Sequence, residues 1–449
     1  MFRKILIANR GEIALRVIRA CREMGIRSVV AHSEADRHSL PVRLADERIC
    51  IGPGPSGKSY LNIPNIISAA LIANAEAIHP GYGFLSENTS FAEICNDVNI
   101  TFIGPSAKVM SFMGDKVSAR EAMAASGLPM LPGTPVVHTF AEAQEAAREI
   151  GFPLMLKAVA GGGGRGIRLI QNEDEFERIF TVAQNEVREA FRDDGIYFER
   201  YLARARHIEI QVLVDNFGNG VHLGERNCSC QRRNQKVLEE SPTPILPREL
   251  CDEIGMRGIE AVKRIGYRNA GTLEFLVDEQ NRYYFMEMNT RLQVEHPVTE
   301  LVTGLDLVKE QIRIASGLPL RLRQEDIKLR GHAIECRITA EDASADFRPQ
   351  TGTVEQYLQP GGPGVRVDSH LFAGYEIPPH YDSLLAKLIV WAETREEAIA
   401  RMQRALEEYV IEGLTTTIPF QQRLLAHEGF IRGDTYTRFI QDEAAALGI

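Results

Sequence analysis

Two carboxylates face each other across a β-hairpin that the sequence predicts over residues 271–289. A turn around Gln280 and Asn281 would place Glu274 directly opposite Glu287 on the neighbouring strand. Like charges opposite each other on a sheet repel, and a hard cation between them would convert that repulsion into coordination. Oxygen ligands suit Mg²⁺, which also bridges substrate phosphates, so the hairpin predicts a magnesium site.

The same register gives this hairpin one polar face and one apolar face. Asn289, opposite Thr272, adds an amide to the polar face. Polar residues at every second position continue beyond the hairpin, and an extended chain would keep them on that face. A solvated outer face is the alternative, although it would not need these residue types. The continuing polar residues are Arg291, Gln293 and Glu295, and the predicted apolar face carries Leu273, Phe275, Met286 and Met288.

A run of glycines between two short predicted strands, 154–158 and 167–170, is the candidate phosphate-binding element. Glycine lets the backbone approach an oxyanion without interference from a Cβ atom. Lys157, on the preceding strand, would add a positive charge for phosphate. A flexible surface loop is the alternative interpretation. The glycines are Gly161, Gly162, Gly163, Gly164 and Gly166.

Residues 52–59 match the pattern G-x-x-x-x-G-K-[ST], but their composition argues against a P-loop. A P-loop directs successive backbone N–H groups at phosphate and opens a helix. Pro53 and Pro55 remove two of these donors, and Pro64 follows too soon for a helix to continue from the loop. The sequence therefore predicts an ordinary loop here, with no ATP contact from Lys58.

Composition limits the class of protein. The chain has 449 residues with 44% hydrophobic and 25% charged residues, which predicts a soluble globular protein of two to four domains. A formal net charge of -10 argues against a general nucleic-acid surface. No segment resembles a membrane span or a signal-peptide core, so we expect a cytoplasmic protein with no membrane partner. The seven scattered cysteines are expected to be reduced thiols, and one C-x-C pair is weak support for zinc.

The elements that must position these residues fall into successive regions. The N-terminal pattern of strand, turn, helix and strand predicts a doubly wound α/β unit with a parallel sheet, although it lacks the G-x-G-x-x-G fingerprint. Antiparallel signals dominate after residue 204, where His207, Glu209 and Gln211 alternate with apolar residues. The predicted division is an N-terminal α/β domain (1–104), a linker (105–129), a lid domain with the glycine run (130–203) and a C-terminal domain (204–449).

Several longer motifs resemble those of the biotin carboxylase family, and the resemblance covers essentially the whole chain. It implies an ATP-grasp fold of mixed α/β and α+β class, in which an N-terminal doubly wound α/β domain precedes a mobile middle lid domain and a C-terminal α+β domain. Composition and spacing alone indicate only a magnesium-dependent ATP enzyme. The motifs are residues 7–14 (IANRGEIA), 79–88 (HPGYGFLSEN), 113–116 (MGDK), the glycine run, 231–233 (QRR) and 287–300 (EMNTRLQVEHPVTE).

The resemblance also implies a role for each matching residue. Glu295 would be the general base that activates bicarbonate, and Arg337, with Tyr82 nearby, would stabilise biotin as it loses a proton. The implied magnesium ligands are Glu274, Glu287 and Asn289. The implied bicarbonate site is Lys236, Arg291, Gln293, the backbone of Val294, and Glu295. The implied ATP contacts are Lys116, Lys157, the glycine run, Glu199, Leu202, His207, Gln231 and Asn234.

The implied reaction has two steps and several partners. Bicarbonate attacks the γ-phosphate of ATP to give carboxyphosphate and ADP, and the carboxyl group then passes to N1 of biotin. One or two Mg²⁺ ions are expected, with Mn²⁺ as a substitute. The sequence contains no Ala-Met-Lys-Met biotinylation signal. Biotin is therefore expected on a separate biotin carboxyl carrier protein that also serves carboxyltransferase subunits. The expected final acceptor is acetyl-CoA, with pyruvate or another acyl-CoA as alternatives.

Two positions depart from the family pattern, and two other functions remain as alternatives. Asn234 stands where relatives often have His. Arg19, Glu23 and Arg366 fit the homodimer surface of the family, but Pro363 replaces an aromatic residue there. The alternatives are another ATP-grasp ligase, such as a carbamoyl-phosphate synthetase half or a purine-pathway carboxylase, and a nucleotide-binding regulatory protein with an inactive site.

Overall fold

A computed structural model describes residues 1–159, 166–191 and 195–449 of the chain. Its first hundred residues form a five-stranded parallel sheet in the order β3-β2-β1-β4-β5. Ile5 and Ile7 pack into one core and Leu6 and Ala8 into another, so strand β1 is buried on both faces, as parallel sheets require. The predicted doubly wound unit is confirmed. Its strands are β1 (Lys4–Ile7), β2 (Arg27–His32), β3 (Glu47–Cys50), β4 (Ala77–His79) and β5 (Thr101–Phe102), and its helices are α1 (Gly11–Glu23), α2 (Leu40–Leu44), α3 (Ile63–Ile72) and α4 (Thr89–Asp97).

The segment predicted as a linker, 105–129, is largely helical. It contains α5 (Ala107–Gly114) and α6 (Lys116–Ala125). Met113 and Met123 from these helices pack into the core beneath the C-terminal sheet. The segment thus places Lys116, the first residue of α6, beside the rest of the molecule.

The next region is a small antiparallel sheet covered by two helices. Strand β6 lies between β7 and β8, and the predicted bounds of β6 and β7 are confirmed. Phe176, Phe180 and Phe198 fill the space between sheet and helices. The elements are α7 (Phe140–Ile150), β6 (Leu154–Ala158), β7 (Ile167–Ile170), α8 (Phe176–Phe191) and β8 (Ile196–Arg200).

The rest of the chain is built on an eight-stranded antiparallel sheet. Its strand order is β13-β12-β9-β10-β11-β14-β21-β19, with three two-stranded ladders beside it. The strands are β9 (Arg206–Val214), β10 (Gly220–Arg232), β11 (Gln235–Ser241), β12 (Asn269–Val277), β13 (Tyr283–Asn289), β14 (His332–Thr339), β15 (Glu341–Asp342), β16 (Arg348–Pro349), β17 (Gly352–Thr353), β18 (Tyr357–Leu358), β19 (Val365–Ser369), β20 (Glu376–Ile377), β21 (Leu384–Ala392) and β22 (Val410–Ile411).

Helices pack beside this sheet, and the last of them lies near the C-terminal end of the sequence. Helix α12 begins after Thr394, whose side chain accepts from the backbone N–H of Glu397, a normal N-cap contact. The helices are α9 (Arg248–Arg264), α10 (His296–Thr303), α11 (Leu307–Ala315), α12 (Arg395–Glu408), α13 (Ile418–Ala426), α14 (Glu428–Ile431) and α15 (Phe439–Asp442).

The structure also bears on two expectations about the whole chain. All seven cysteines are unpaired, as predicted. Among the helices in the described ranges, none combines the length and the apolar character needed to cross a bilayer.

Candidate functional site

One cleft of about 1190 Å³ brings the predicted site residues together. Gly161, Gly162, Gly163 and Gly164 lie outside the described residues. Gly166 immediately precedes β7, with a φ of +77° and its carbonyl accepting from the N–H of Ala158 at 2.9 Å. The predicted residues that line the cleft are Tyr82, Lys116, Lys157, Glu199, Leu202, His207, Gln231, Asn234, Lys236, Glu274, Glu287, Asn289, Arg291, Gln293, Val294, Glu295 and Arg337.

The hairpin of β12 and β13 has the predicted register at its polar end. Glu274 lies opposite Glu287, and Thr272 lies opposite Asn289. Asn281 supplies the left-handed residue of the turn, with a φ of 61°. The prediction that two carboxylates face each other on this hairpin is therefore confirmed.

The prediction for the apolar face of this hairpin is wrong at one position. A β-bulge shifts the register between Glu274 and Phe275, so Phe275 pairs with Phe285 rather than Met286. The ring of Phe285 enters the core 6.0 Å from that of Phe275, whereas Met286 lines the cleft. An extra residue in one strand reverses the facing of the residues beyond it, which strict alternation cannot anticipate.

Glu295 also reaches the cleft by a different route from the extended chain that was predicted. Strand β13 ends at Asn289, and Glu295 is the residue immediately before α10. Pro297 lies in the first turn of that helix, where its fixed φ and missing N–H favour helix initiation. The turn nevertheless directs the Glu295 carboxylate at Lys236 and Arg337.

A row of charged side chains crosses four neighbouring strands of the large sheet. Register places Arg226 beside Glu209, Glu209 beside Glu274, and Glu274 beside Glu287. The side chain of Arg226 is completely buried and donates to Glu209 at 3.1 Å and to Gln293 at 2.6 Å. This arginine offsets part of the repulsion among the carboxylates.

Lys236 gathers three of the carboxylates around one ammonium group. Its Nζ atom donates to Glu295 at 2.7 Å, to Glu274 at 3.1 Å and to Glu209 in a short contact. Although burial alone would lower it, these carboxylates raise the pKa of Lys236 well above its usual value. The lysine is therefore permanently charged at the centre of the cleft.

Neighbouring basic side chains keep the carboxylates of Glu274 and Glu295 ionised. Burial alone would raise the pKa of Glu274, but Lys236 and then His207 hold it well below its usual value. Burial would likewise raise the pKa of Glu295, but Lys236 and Arg337 lower it. Glu295 is thus a buried carboxylate that remains ready to accept a proton.

Arg337 lies between Glu295 and a further carboxylate that the sequence did not single out. Its Nε atom donates to Glu239 at 2.7 Å and its Nη2 atom donates to Glu295 at 3.0 Å. Arg337 is on β14 and Glu239 on the neighbouring β11. The guanidinium plane is therefore fixed from two sides at the wall of the cleft.

Arg291 and its neighbours occupy the edge of the site near the N-terminal sheet. Arg291 donates to Glu87 at 2.9 Å and to the Asn289 side-chain oxygen at 2.9 Å. Asn289 and Gln293 in turn donate to Glu274, at 2.7 and 2.8 Å. These bonds link the segment after β13 to strand β12 and to the turn that precedes α4.

A second buried lysine supports the backbone of Val294. Lys387, fully buried on β21, donates to the Val294 carbonyl at 3.0 Å and contacts Glu12 at 3.1 Å. The Tyr82 hydroxyl donates to the same carboxylate in a short bond. The position of Val294 and that of Tyr82 therefore depend on one common pair, Lys387 and Glu12.

At the other end of the cleft, Glu199 receives two cations. Its carboxylate contacts Lys157 and Arg120, each at 2.5 Å. Lys116 has a lowered pKa, chiefly because of burial, with Glu287 opposing the shift. Cations from the small sheet and from α6 thus converge on the end of the cleft lined by β6 and β8.

His207, Gln231 and Asn234 form the wall between these two ends. Gln231 donates to the Nδ1 atom of His207 at 2.6 Å, and Nε2 of His207 lies 3.0 Å from Glu274. Arg233 and Asn234 both have positive φ, 49° and 63°, and form the two-residue turn between β10 and β11. Asparagine tolerates this conformation well, so residue 234 suits the turn.

The donor set at the hairpin fits a hard divalent cation. Glu274 and Glu287 supply carboxylate oxygens, and Asn289 supplies an amide oxygen, the ligand types that Mg²⁺ prefers. Glu287 lines the cleft, so its carboxylate can reach a cation bound there. Burial and the nearby Glu274 raise its pKa, a repulsion that a bound cation would relieve.

The loop that matches the P-loop pattern does not have P-loop geometry. Residues Ser56–Lys58 form one 3-10 turn, and the following helix, α3, begins only at Ile63. The Lys58 side chain is exposed and lies outside the set of residues that line the cleft. The prediction that this match is accidental agrees with the observed geometry.

Sequence reasoning missed several residues that the structure places in or directly behind the site. Glu209 could have been found, because it alternates with His207 and Gln211 on β9. Glu12 and Glu87 lie within the motifs 7–14 and 79–88, which showed the family resemblance but no role for either residue. Lys387 on β21 gave no such signal, because only tertiary packing brings it here. The missed residues are Glu12, Glu87, Arg120, Glu209, Arg226, Glu239, Glu335 and Lys387.

Comparisons with known proteins cover the whole chain. Family models match at 1–110 (Biotin carboxylase, N-terminal domain), 115–323 (Carbamoyl-phosphate synthase L chain, ATP binding domain) and 335–442 (Biotin carboxylase C-terminal domain). A biotin carboxylase of Nostoc is 58% identical, over 98% of this chain and 99% of that protein. A pyruvate carboxylase subunit of Methanothermobacter thermautotrophicus is 53% identical, over 98% and 90%. The biotin carboxylase domain dimer of Hydrogenobacter thermophilus 2-oxoglutarate carboxylase, solved with MgADP, ADP and bicarbonate, matches with a TM-score of 0.96 and 50% identity, covering 100% of this chain and 99% of that one.

Proposed function

This chain belongs to the biotin carboxylase family of ATP-dependent ligases. We propose that it uses ATP and bicarbonate, with Glu295 as the base that activates bicarbonate, to carboxylate biotin carried on a separate protein. The observation that carries the proposal is the position of Glu295. Its ionised carboxylate lies between Lys236 and Arg337, at 2.7 and 3.0 Å, in the cleft that contains the other family residues.

The first step needs a base and a cluster of cations. We assign Lys236, Arg291, Gln293 and the backbone of Val294 to the binding of bicarbonate. An oxygen of bicarbonate attacks the γ-phosphorus while Glu295 accepts the bicarbonate proton, and the bond to the bridging oxygen of ADP breaks. A positioned base is typically worth about 10²–10⁴-fold in rate.

ATP is assigned to the end of the cleft that Lys116, Lys157 and Glu199 line. Lys116, Lys157 and the glycines would contact its phosphates, and His207 and Glu199 would hold the nucleoside, with Leu202, Gln231 and Asn234 completing the pocket. Glu274, Glu287 and Asn289 would hold Mg²⁺, which neutralises phosphate charge when it is bound. Positioning and charge neutralisation carry most of this type of reaction.

The second step uses Arg337 rather than Glu295. Carboxyphosphate gives up its carboxyl group to N1 of biotin, and the departing phosphate takes the proton that the nitrogen loses. The fixed charge of Arg337 would stabilise the biotin enolate, with Tyr82 at the adjacent wall. Support comes from the guanidinium position, which Glu239 and Glu295 hold from two sides.

The wider assignments are also proposals. We propose a cytoplasmic homodimer that supplies carboxybiotin, through a biotin carboxyl carrier protein, to carboxyltransferase subunits that act on acetyl-CoA. Pyruvate is the second candidate acceptor, because one similar protein belongs to a pyruvate carboxylase. Identifying the carboxyltransferase that co-purifies with this chain would decide between them.

Two variants test the division of labour between the steps. Glu295→Gln should lose bicarbonate-dependent ADP formation with and without biotin, because the base is gone. Arg337→Ala should keep slow bicarbonate-dependent ADP formation but fail to carboxylate free biotin. ADP release and fixation of labelled bicarbonate measure the two activities. If both variants keep or lose the two activities together, the division of labour is wrong. If the unaltered protein carboxylates no biotin, the assigned function itself is wrong.

A further inference from the structure

Behind Arg337 lie two carboxyl groups that the proposed mechanism does not use. Glu239 on β11 and Glu335 on β14 are directly opposite each other in the sheet register, and both side chains are completely buried. Glu335 and Arg337 are two residues apart on one strand, so they share a face. The two carboxyl groups therefore form a layer immediately beneath the guanidinium group.

Most oxygens of this pair have no hydrogen-bond donor in the described parts of the chain. Both oxygens of Glu335 and the Oε2 atom of Glu239 have no partner among residues 1–159, 166–191 and 195–449. The Oε1 atom of Glu239 accepts from Arg337 at 2.7 Å. Two bare carboxylates side by side in a buried layer would be strongly unfavourable, both for repulsion and for missing hydrogen bonds.

The cations near Glu335 already have other hydrogen-bond or ion-pair partners. Lys387 on β21 contacts Glu12 and donates to the Val294 carbonyl, and Arg337 donates to Glu239 and Glu295. The charged groups around Glu335 are Lys387, Glu239, Arg337 and Glu295, and those around Glu239 also include Lys236. None of these cations supplies Glu335 with a hydrogen bond among the contacts of the described residues.

We propose that Glu335 holds a proton that it shares with Glu239, and that this proton sets the position and the effective charge of Arg337. One proton would remove the repulsion and supply the missing donor, while Glu239 stays ionised against the guanidinium group. The pair acts through Arg337, so both are positioning residues. This inference rests on the proposed function only for the role of Arg337 in the biotin step.

The protonation behaviour of the pair agrees with this geometry. Burial, partly offset by Arg337, raises the pKa of Glu239 to about 7. Burial raises the pKa of Glu335 well above its usual value, although Lys387 opposes the shift. Because the two groups interact, the proton belongs to the pair, and a proton that the pair holds at neutral pH would be lost only as the pH rises above neutral.

Loss of that proton would have a direct chemical consequence. A second negative charge would then face Arg337 from below and weaken the stabilisation that it offers to a biotin enolate. Carboxylation of biotin would fall at alkaline pH for a reason unrelated to the bicarbonate step. Since the effect acts on the transition state, it should appear in kcat more than in KM.

Two substitutions of similar size at Glu335 separate the effect of a hydrogen-bond donor from the effect of side-chain volume. Glu335→Gln provides a permanent amide donor to Glu239, whereas Glu335→Leu provides none. We expect the alkaline fall in kcat for free-biotin carboxylation to be flattened in Glu335→Gln. We expect Glu335→Leu to have a kcat about tenfold below that of Glu335→Gln at neutral pH, roughly the effect of one lost buried hydrogen bond. An alkaline limb that is the same in Glu335→Gln as in the unaltered protein overturns the proposal.

Thermal unfolding tests the proton without relying on activity. A carboxyl group with a raised pKa in the folded state contributes stability at low pH that is lost as the pH rises through the folded-state pKa. The Tm of Glu335→Gln minus that of the unaltered protein should therefore increase from pH 6 to pH 9. A difference that stays constant over this range means that Glu335 carries no proton and overturns the proposal. If no biotin is carboxylated by the unaltered protein, the assigned function fails, and the unfolding comparison still decides on the proton.

Discussion

At the scale of single residues, two lysines show the difference between a candidate phosphate-binding residue and an accidental motif match. Lys157 points into the cleft and contacts Glu199 at 2.5 Å, whereas Lys58 is exposed on a loop. The sequence alone could separate them, because proline removes backbone donors from the false match. What it could not give is the pairing of Lys157 with Glu199, which depends on the register of β6 and β8.

We therefore expect Lys157→Ala to raise the KM for ATP by at least tenfold, the cost of one charge-assisted phosphate contact. Lys58→Ala is the matched control and should leave the KM for ATP within about twofold, since its side chain is in solvent. Steady-state ADP release at varied ATP measures both. The opposite pattern would show that the 52–59 loop, and not the glycine run, handles the nucleotide.

Glu287 is the residue with which the magnesium assignment can be tested. Glu287→Gln should raise the Mg²⁺ concentration needed for half-maximal ADP formation, because one carboxylate ligand is lost. Glu279→Gln, at the exposed tip of the same hairpin, is the control. The Glu287 variant should also raise the Tm of the metal-free protein, because removing one carboxylate relieves repulsion with Glu274. Normal turnover by Glu287→Gln at limiting Mg²⁺ would rule out the assignment.

At the level of elements, the hairpin shows what a sequence pattern can and cannot supply. Alternation and turn chemistry correctly placed Glu274 opposite Glu287. They could not supply the bulge that turns Met286 toward the cleft, because a bulge depends on packing in the sheet. The start of α10 was likewise hidden, although Pro297 is a recognisable helix-initiation signal. Regular pairing was therefore predictable, and the irregularities beside the site were not.

Strand β21 carries the buried Lys387, which forms an ion pair with Glu12 on α1. Lys387→Met would leave Glu12 buried without its cation and would free the Val294 carbonyl. Breaking a buried ion pair from one side costs about 3–5 kcal/mol, so the free energy of unfolding should fall by that order. The double variant Lys387→Met/Glu12→Gln should recover part of the loss, because no unpaired charge remains. Denaturant unfolding measures both variants, and equal losses in the two would show that Lys387 stabilises the fold only through packing.

At the level of the whole molecule, two of the three residues assigned to the proposed homodimer surface have partners within the chain. Arg19 is exposed, whereas Glu23 contacts Lys309 at 2.6 Å and Arg366 bonds to Glu300 at 2.7 Å within the chain. The fold class could be predicted as a whole because the family motifs extend along the full sequence. Association could not be predicted in this way, since Glu23 and Arg366 have partners inside their own chain.

If the proposed homodimer uses this surface, Arg19→Glu should shift the protein toward monomer. A reversed charge at an interface commonly costs several kcal/mol, which is on the order of a hundredfold or more in the dissociation constant. Arg321→Glu, at another exposed arginine, is the control for net charge. Sedimentation equilibrium measures both, and equal behaviour of the two variants would place the interface elsewhere.

The three carboxylate contacts of Lys236 have a consequence for anion selectivity. An ammonium group has three N–H donors, and Glu209, Glu274 and Glu295 already accept from all of them. An incoming anion can then be held by Lys236 only in exchange for one of these carboxylates. Bicarbonate can compensate the displaced Glu295 by donating its own O–H to it, whereas chloride or nitrate has no hydrogen to offer. On the proposed function, the lysine would therefore select its substrate by the proton that the anion brings, and not by charge alone.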